Sequence, residues 1–154
     1  MCTFEQSGAQ LGIDVSEVQE VLRADSLGRV PGAPRAVQGL LNLRGQILLA
    51  LDLGRALELP ASTRPSHERM HIVLLDQDVS LLVDEVGEVV EVAPTDRAPP
   101  PEHLDPALAS TVQAVCQSPL GSFLLLSPAA LLERALGSWL KDANNVKHRV
   151  EVES

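Results

Sequence analysis

The chain has 154 residues, enough for one compact unit or for two small barrels sharing an interface. Hydrophobic residues make up 45%, which supports a buried core and excludes general disorder, while aromatics at 2% exclude base-stacking surfaces and leave the core to Leu and Val. Twelve basic against 21 acidic residues give a net charge of −9, a balance that repels phosphate backbones and anionic membrane surfaces and so disfavours nucleic-acid binding.

Cys2 and Cys116 are too few for a disulfide scaffold and read as reduced thiols. The N-terminus carries neither a basic region nor an apolar core of a secretory signal. The longest apolar stretch, residues 47–51, falls far short of the roughly 20 residues that a spanning helix needs. The expectation is a soluble cytoplasmic monomer without membrane insertion.

Apolar runs of strand length recur between Gly, Pro, Asp and Asn, the signature of strands rather than long helices. Residues 10–14 read as a first strand, with residues 2–5 as its candidate partner. Residues 15–22 fit both a helical turn and an extended run. Residues 30–34 form a rigid connector through Pro31 and Pro34, and residues 34–40 read as a helical turn with proline at its start. Residues 39–53 predict two strands meeting at Arg44-Gly45, followed by a short helix over 54–59 stopped by Pro60 and a polar loop over 61–66.

Residues 70–75, 79–83 and 86–92 predict a meander of three strands, the first two joined by a hairpin at Asp76-Gln77-Asp78. Residues 98–101, with three consecutive prolines, predict a stiff loop. Strands follow over 112–117 and 122–127, then a helix over 128–137 with Pro128 at its start and Gly137 as its stop. Residues 141–154 read as a polar tail. The strands fall into two groups on either side of the loop near residues 60–68, and two small closed sheets would bury their aliphatic faces.

The sharpest enzymatic pattern is His67-Glu68-Arg69-Met70-His71, the H-E-x-x-H spacing of zinc peptidases, in which one helical turn aims both imidazoles at the metal. The context here is a loop entering a strand, where residues four apart lie roughly 13 Å apart, too far to share one ion. A zinc metallopeptidase on His67, Glu68 and His71 is thus the competing reading, with His103 and His148 the remaining histidines. Cys116 sits in an apolar strand, where an inert thiol is expected, and Asp76, Asp78, Asp84 and Glu85 read as solvated turn residues. A small-ligand barrel is disfavoured by the scarcity of aromatics and of converging polar groups. No cofactor is expected. Arg44 stands alone on an apolar hairpin and Glu20 alone on an apolar strand, so the two are candidates to pair.

Several motifs, in order, carry a resemblance: Ile13-Asp14-Val15 through Val18-Gln19-Glu20-Val21, Arg29 through Pro34, Gly39-Leu40-Leu41-Asn42-Leu43-Arg44-Gly45, Leu51-Asp52-Leu53, Leu82-Val83-Asp84-Glu85-Val86, and Ser122 to Leu126 with Ala130-Leu131-Leu132. Over residues 2–137 the chain resembles the CheW family of chemotaxis coupling proteins. That resemblance implies a mainly β domain over residues 1–140, made of two intertwined five-stranded SH3-like barrels with a short C-terminal helix. It also implies a non-enzymatic adaptor, joining the cytoplasmic tip of a methyl-accepting chemoreceptor to the regulatory domain of a CheA-type histidine kinase. By the same resemblance Val18, Glu20, Arg44, Asp84 and Val86 fall at a receptor-binding groove. Glu102 and His103 fall on a kinase- or ring-contacting loop, with His103 where an aromatic or apolar residue is common.

Overall fold

A computed structural model describes residues 1–24, 26–137 and 139; the tail expected over 141–154 lies outside the described residues. The first hairpin shows how the short apolar runs become strands. β1 (Cys2–Gln6) buries Cys2, Phe4 and Gln6, turns through Ser7 and Gly8 at φ of 53° and 83°, and pairs antiparallel with β2 (Ala9–Ile13). Positive φ at both turn residues matches the twist of the flanking strands.

Residues 15–22 satisfy both of their readings in succession. Asp14 accepts from the Ser16 amide to cap a single 3₁₀ turn (Val15–Glu17), and β3 (Val18–Leu22) follows. Residues 34–40 are not a helical turn: the chain turns at residues 35–36 and then extends as β4 (Val37–Leu43). β-Branched Val37 and Gly39 disfavour helix, and Leu40 and Leu41 are held opposite Leu49 and Leu48 of β5 (Gln46–Asp52). The β4–β5 turn is Arg44-Gly45, at φ of 50° and 87°, with Asn42 Oδ1 accepting from the Gly45 amide at 3.1 Å. Helix α1 (Leu53–Ala56) starts one residue earlier than expected because Asp52 caps it.

A 3₁₀ turn (Ser66–Glu68) leads to β6 (Met70–Leu74), β7 (Val79–Val83) and β8 (Glu85–Val89). Then come a 3₁₀ turn (Pro94–Asp96), β9 (Arg97–Ala98), α2 (Pro106–Ala109), β10 (Val112–Ser118) and β11 (Gly121–Leu126). Helix α3 (Pro128–Leu136) is capped by the Ser127 hydroxyl and ends at Gly137, as expected.

The strands form two sheets, in the orders β8-β1-β2-β11-β10-β9 and β3-β6-β7-β5-β4. Two sequence expectations fail here. The expected meander over 70–92 is only a β6–β7 hairpin, because β7 has β6 on one side and β5, in parallel, on the other; β8 finds no free edge and pairs with β1 in the other sheet. Nor do the groups divide near residues 60–68. The five-stranded sheet takes β3 to β7, and the six-stranded sheet is assembled from both ends of the chain, joined by the parallel pair β2–β11.

The two sheets share one plan. Each places two hairpins side by side through a parallel pair, and each is flanked on both edges by one continuous segment. In the six-stranded sheet that segment supplies β8 at one edge and β9 at the other. In the five-stranded sheet it supplies β3 at one edge and, beyond it, Gly28, which bridges Leu40 of β4 through two 2.8 Å backbone hydrogen bonds. Wrapping one segment around both edges curls a sheet toward closure and occupies edges that would otherwise be exposed. One apolar cluster then spans both sheets, from Phe4, Leu11 and Ile13 to Leu49, Leu51, Ile72 and Leu81, with Leu53, Leu131 and Leu132 of the helices closing over it.

Candidate functional site

The residues singled out by sequence separate into distinct places. Val18, Glu20 and Leu22 alternate with exposed Gln19 and Val21 on β3, so Glu20 is half-buried on the strand's better-covered face. Arg44 projects from the β4–β5 turn, where its side chain is 71% exposed against 29% for Glu20, and its Nη2 donates to Glu20 Oε1. β3 and β4 are opposite ends of the five-stranded order, so this ion pair spans the seam where the sheet curls upon itself. The anticipated pairing is present. At this exposure it contributes on the order of 0–1 kcal/mol, too little to hold the fold, so it serves better as a charged surface than as a brace.

Asp84 is elsewhere and is not a solvated turn residue. It is buried between β7 and β8, where the chain crosses from one sheet to the other. Its carboxylate accepts from the Ser7 amide at 2.9 Å and from the Ser62 hydroxyl, and Oδ1 lies 3.1 Å from Arg69 Nε. That approach is an ion contact without hydrogen-bond alignment. Arg69 Nη1 donates to Asp52 at 3.0 Å, and Nη2 donates to Asp52 at 3.3 Å, to Gln6 Oε1 at 2.8 Å and to the Leu82 carbonyl at 3.2 Å. Gln6 of β1 and Asp52 of β5 thereby meet on one guanidinium, which ties the two sheets together. Val86 lies on β8 opposite Phe4, half-buried against the main core. The set expected at a receptor groove is therefore split: Glu20 and Arg44 touch, whereas the polar contacts of Asp84 go to Arg69, Ser7, Ser62, Arg64 and, through its amide, Glu5.

Glu102 and His103 are exposed on the loop between β9 and α2, while the adjoining Leu104 packs on the core and anchors that loop.

The H-E-x-x-H pattern does not form a metal site. His67 and Glu68 are exposed on the 3₁₀ turn, whereas His71 is buried in β6 with Nδ1 3.0 Å from Ser80 Oγ. Burial, aided by the nearby Arg69 charge, pushes the His71 pKa down to about 4, so the ring is neutral at physiological pH. Among the described residues no group of three or more His, Cys, Asp or Glu is placed to hold a metal. Burial raises the thiol pKa of both Cys2 and Cys116, which makes them poor nucleophiles.

The residue of consequence in that pattern is the one between, Arg69, which the sequence reading passed over. A signal for it exists. Parallel β5 and β7, almost wholly apolar, each run into an aspartate, Asp52 and Asp84, and antiparallel β6 starts just after Arg69 at that same end.

The described residues contain no helix long and apolar enough to cross a membrane. The family model for the CheW-like domain matches residues 1–136. The chemotaxis protein CheW of Treponema pallidum (strain Nichols) is 24% identical over 131 residues, 82% of this chain and 77% of that protein. The chemotaxis protein CheW of Bacillus subtilis (strain 168) is 24% identical over 135 residues, covering 87% and 86%. The crystal structure of scaffolding protein TtCheW from Thermoanaerobacter tengcongensis shares the fold at a TM-score of 0.75 and 24% identity, over 86% of this chain and 90% of that one. With its sheets, its helix and nearly its whole length matched, the chain belongs to the family of CheW-like domains.

Proposed function

We propose that this protein is a scaffold, not an enzyme, that couples chemoreceptors to a CheA-type histidine kinase in chemotaxis-like signalling. An adaptor needs two docking faces and no reactive group, because it works by holding partners together and shifting the kinase between states. In this reading the patch around Val18, Glu20 and Arg44 meets the chemoreceptor's cytoplasmic tip. Val86 adds apolar surface on the neighbouring sheet, and Asp84 fixes the crossing between the sheets from within. The loop bearing Glu102 and His103 meets the regulatory domain of the kinase.

The observation that carries the reading is the Glu20–Arg44 pair: a salt-bridged seam on the outside of a family-typical fold, worth little to stability and with its Arg44 end open to a partner. The test is reconstitution. Immobilised receptor cytoplasmic fragment should retain kinase when this protein is added and not without it. Equal kinase retention with and without the protein would overturn the assignment.

A further inference from the structure

A cavity beside the Arg69 network has a lining unlike the rest of this acidic chain. Arg35, Arg55, Arg64 and Arg69 line it, with Asp52 as the one carboxylate among the lining residues. A third of the twelve basic residues in a protein of net charge −9 thus converge on one depression. These four arginines are scattered along the chain and meet only in the fold, so the sequence reading found few converging polar groups.

The local charges are incompletely compensated. Asp52 is shared by Arg69 at 3.0 Å and Arg55 at 3.8 Å, and Arg69 also meets Asp84 at 3.1 Å, so with Glu85 three carboxylates face the four guanidiniums. Arg64 Nη2 leans to Glu85 at 3.3 Å and its Nη1 donates to the Asp84 carbonyl at 3.2 Å. The Arg35 guanidinium has no ion pair among the described residues; only its carbonyl is engaged, by Arg55 at 3.5 Å. Gln38 also lines the cavity, and its Oε1 is buried without a hydrogen-bond partner among the described residues.

We propose that this cavity binds a small, multiply charged oxyanion, of phosphate or carboxylate chemistry, carrying a hydroxyl. Guanidinium forks match the paired oxygens of both groups, and several converging forks on one ligand give charge-assisted hydrogen bonds. Arg35, Arg55 and Arg64 supply the forks. Arg69, held between Asp52 and Asp84, is charge-compensated and fixes the shape of the floor, so the attraction comes from the outer arginines. The ligand's hydroxyl satisfies Gln38 Oε1. A volume of about 290 Å³ lies at the low end of ligand sites, which run to about 1,000 Å³, and so suits a small ligand. Binding would join the entry to β4, helix α1 and the 60–66 loop, and so stabilise the folded chain by linkage.

Isothermal titration of the full chain at low salt, with pyrophosphate, orthophosphate and citrate in separate runs, tests this. The expected result is saturable one-to-one binding of at least one probe, weakened by added sodium chloride. Comparing the phosphates with citrate decides which chemistry is preferred. Arg35→Glu should weaken binding at least ten-fold with an unchanged melting temperature in the absence of ligand, because that side chain is exposed and carries no structural bond. The milder Arg35→Gln should act in the same direction, and Arg97→Glu, on β9 outside the cavity, should bind as the parent does. No saturable binding of any probe, or equal affinity in Arg35→Glu and the parent, would overturn the proposal.

Discussion

Arg69, just ahead of β6, reaches both carboxylate oxygens of Asp52, at the end of β5, with the two side chains only 4% and 10% exposed. The pair sits where the two sheets join, with Gln6 on one side and Asp84 on the other. A buried ion pair contributes little net stability relative to a well-packed apolar substitute, but removing one member strands the other's charge.

Arg69→Met should therefore cost about 3–5 kcal/mol, because it leaves Asp52 and Asp84 buried without a cation. Urea unfolding followed by far-ultraviolet circular dichroism measures it. Asp52→Asn should cost less, since Asp84 still faces the guanidinium and an asparagine still caps α1.

The Gly28 bridge at the β4 edge of the five-stranded sheet depends on a close backbone approach. A Cβ on Gly39 would lie 2.5 Å from the Gly28 carbonyl oxygen and 2.9 Å from Leu27 Cβ, whereas one on Gly28 meets Leu40 no nearer than 3.8 Å. Gly39→Ala should destabilise by about 1–3 kcal/mol and speed hydrogen exchange at the Gly28 and Leu40 amides, while Gly28→Ala should be near neutral. Equal effects of the two substitutions would contradict the wrapped-edge description.

His71 sets an acid limit. Its pKa is near 4 in the folded chain and 6.5 when exposed, so below 6.5 the unfolded chain takes up a proton that the folded one refuses. This contribution is intact above pH 6.5 and is lost as pH falls toward 4, by up to about 3 kcal/mol. His71→Asn should lower stability at neutral pH yet flatten that part of the pH profile relative to the parent. The difference between the two profiles is the readout, because carboxylates titrate in the same range.

Local chemistry was legible in the sequence, and long-range pairing was not. The Arg44-Gly45 turn and the Pro128–Gly137 limits of the last helix follow from residues whose backbone preferences act in place. The Glu20–Arg44 pair was anticipated because each charge stands alone among apolar neighbours. Asp84 was misread as a solvated turn residue, since its burial depends on a crossover that carries β8 to β1. That crossover in turn depends on β5 having taken the free edge of β7, a parallel pairing with no local signature. Arg69 was hidden inside a pattern that drew attention to its neighbouring histidines.

The central claim, that the outer seam is a docking face and not a structural brace, is tested most directly by titrating a chemoreceptor cytoplasmic fragment against the parent and Arg44→Glu proteins. The Arg44→Glu protein should keep its unfolding free energy within about 1 kcal/mol of the parent, as an exposed pair permits, and lose receptor affinity by ten-fold or more. Undiminished affinity in a correctly folded Arg44→Glu protein would contradict it.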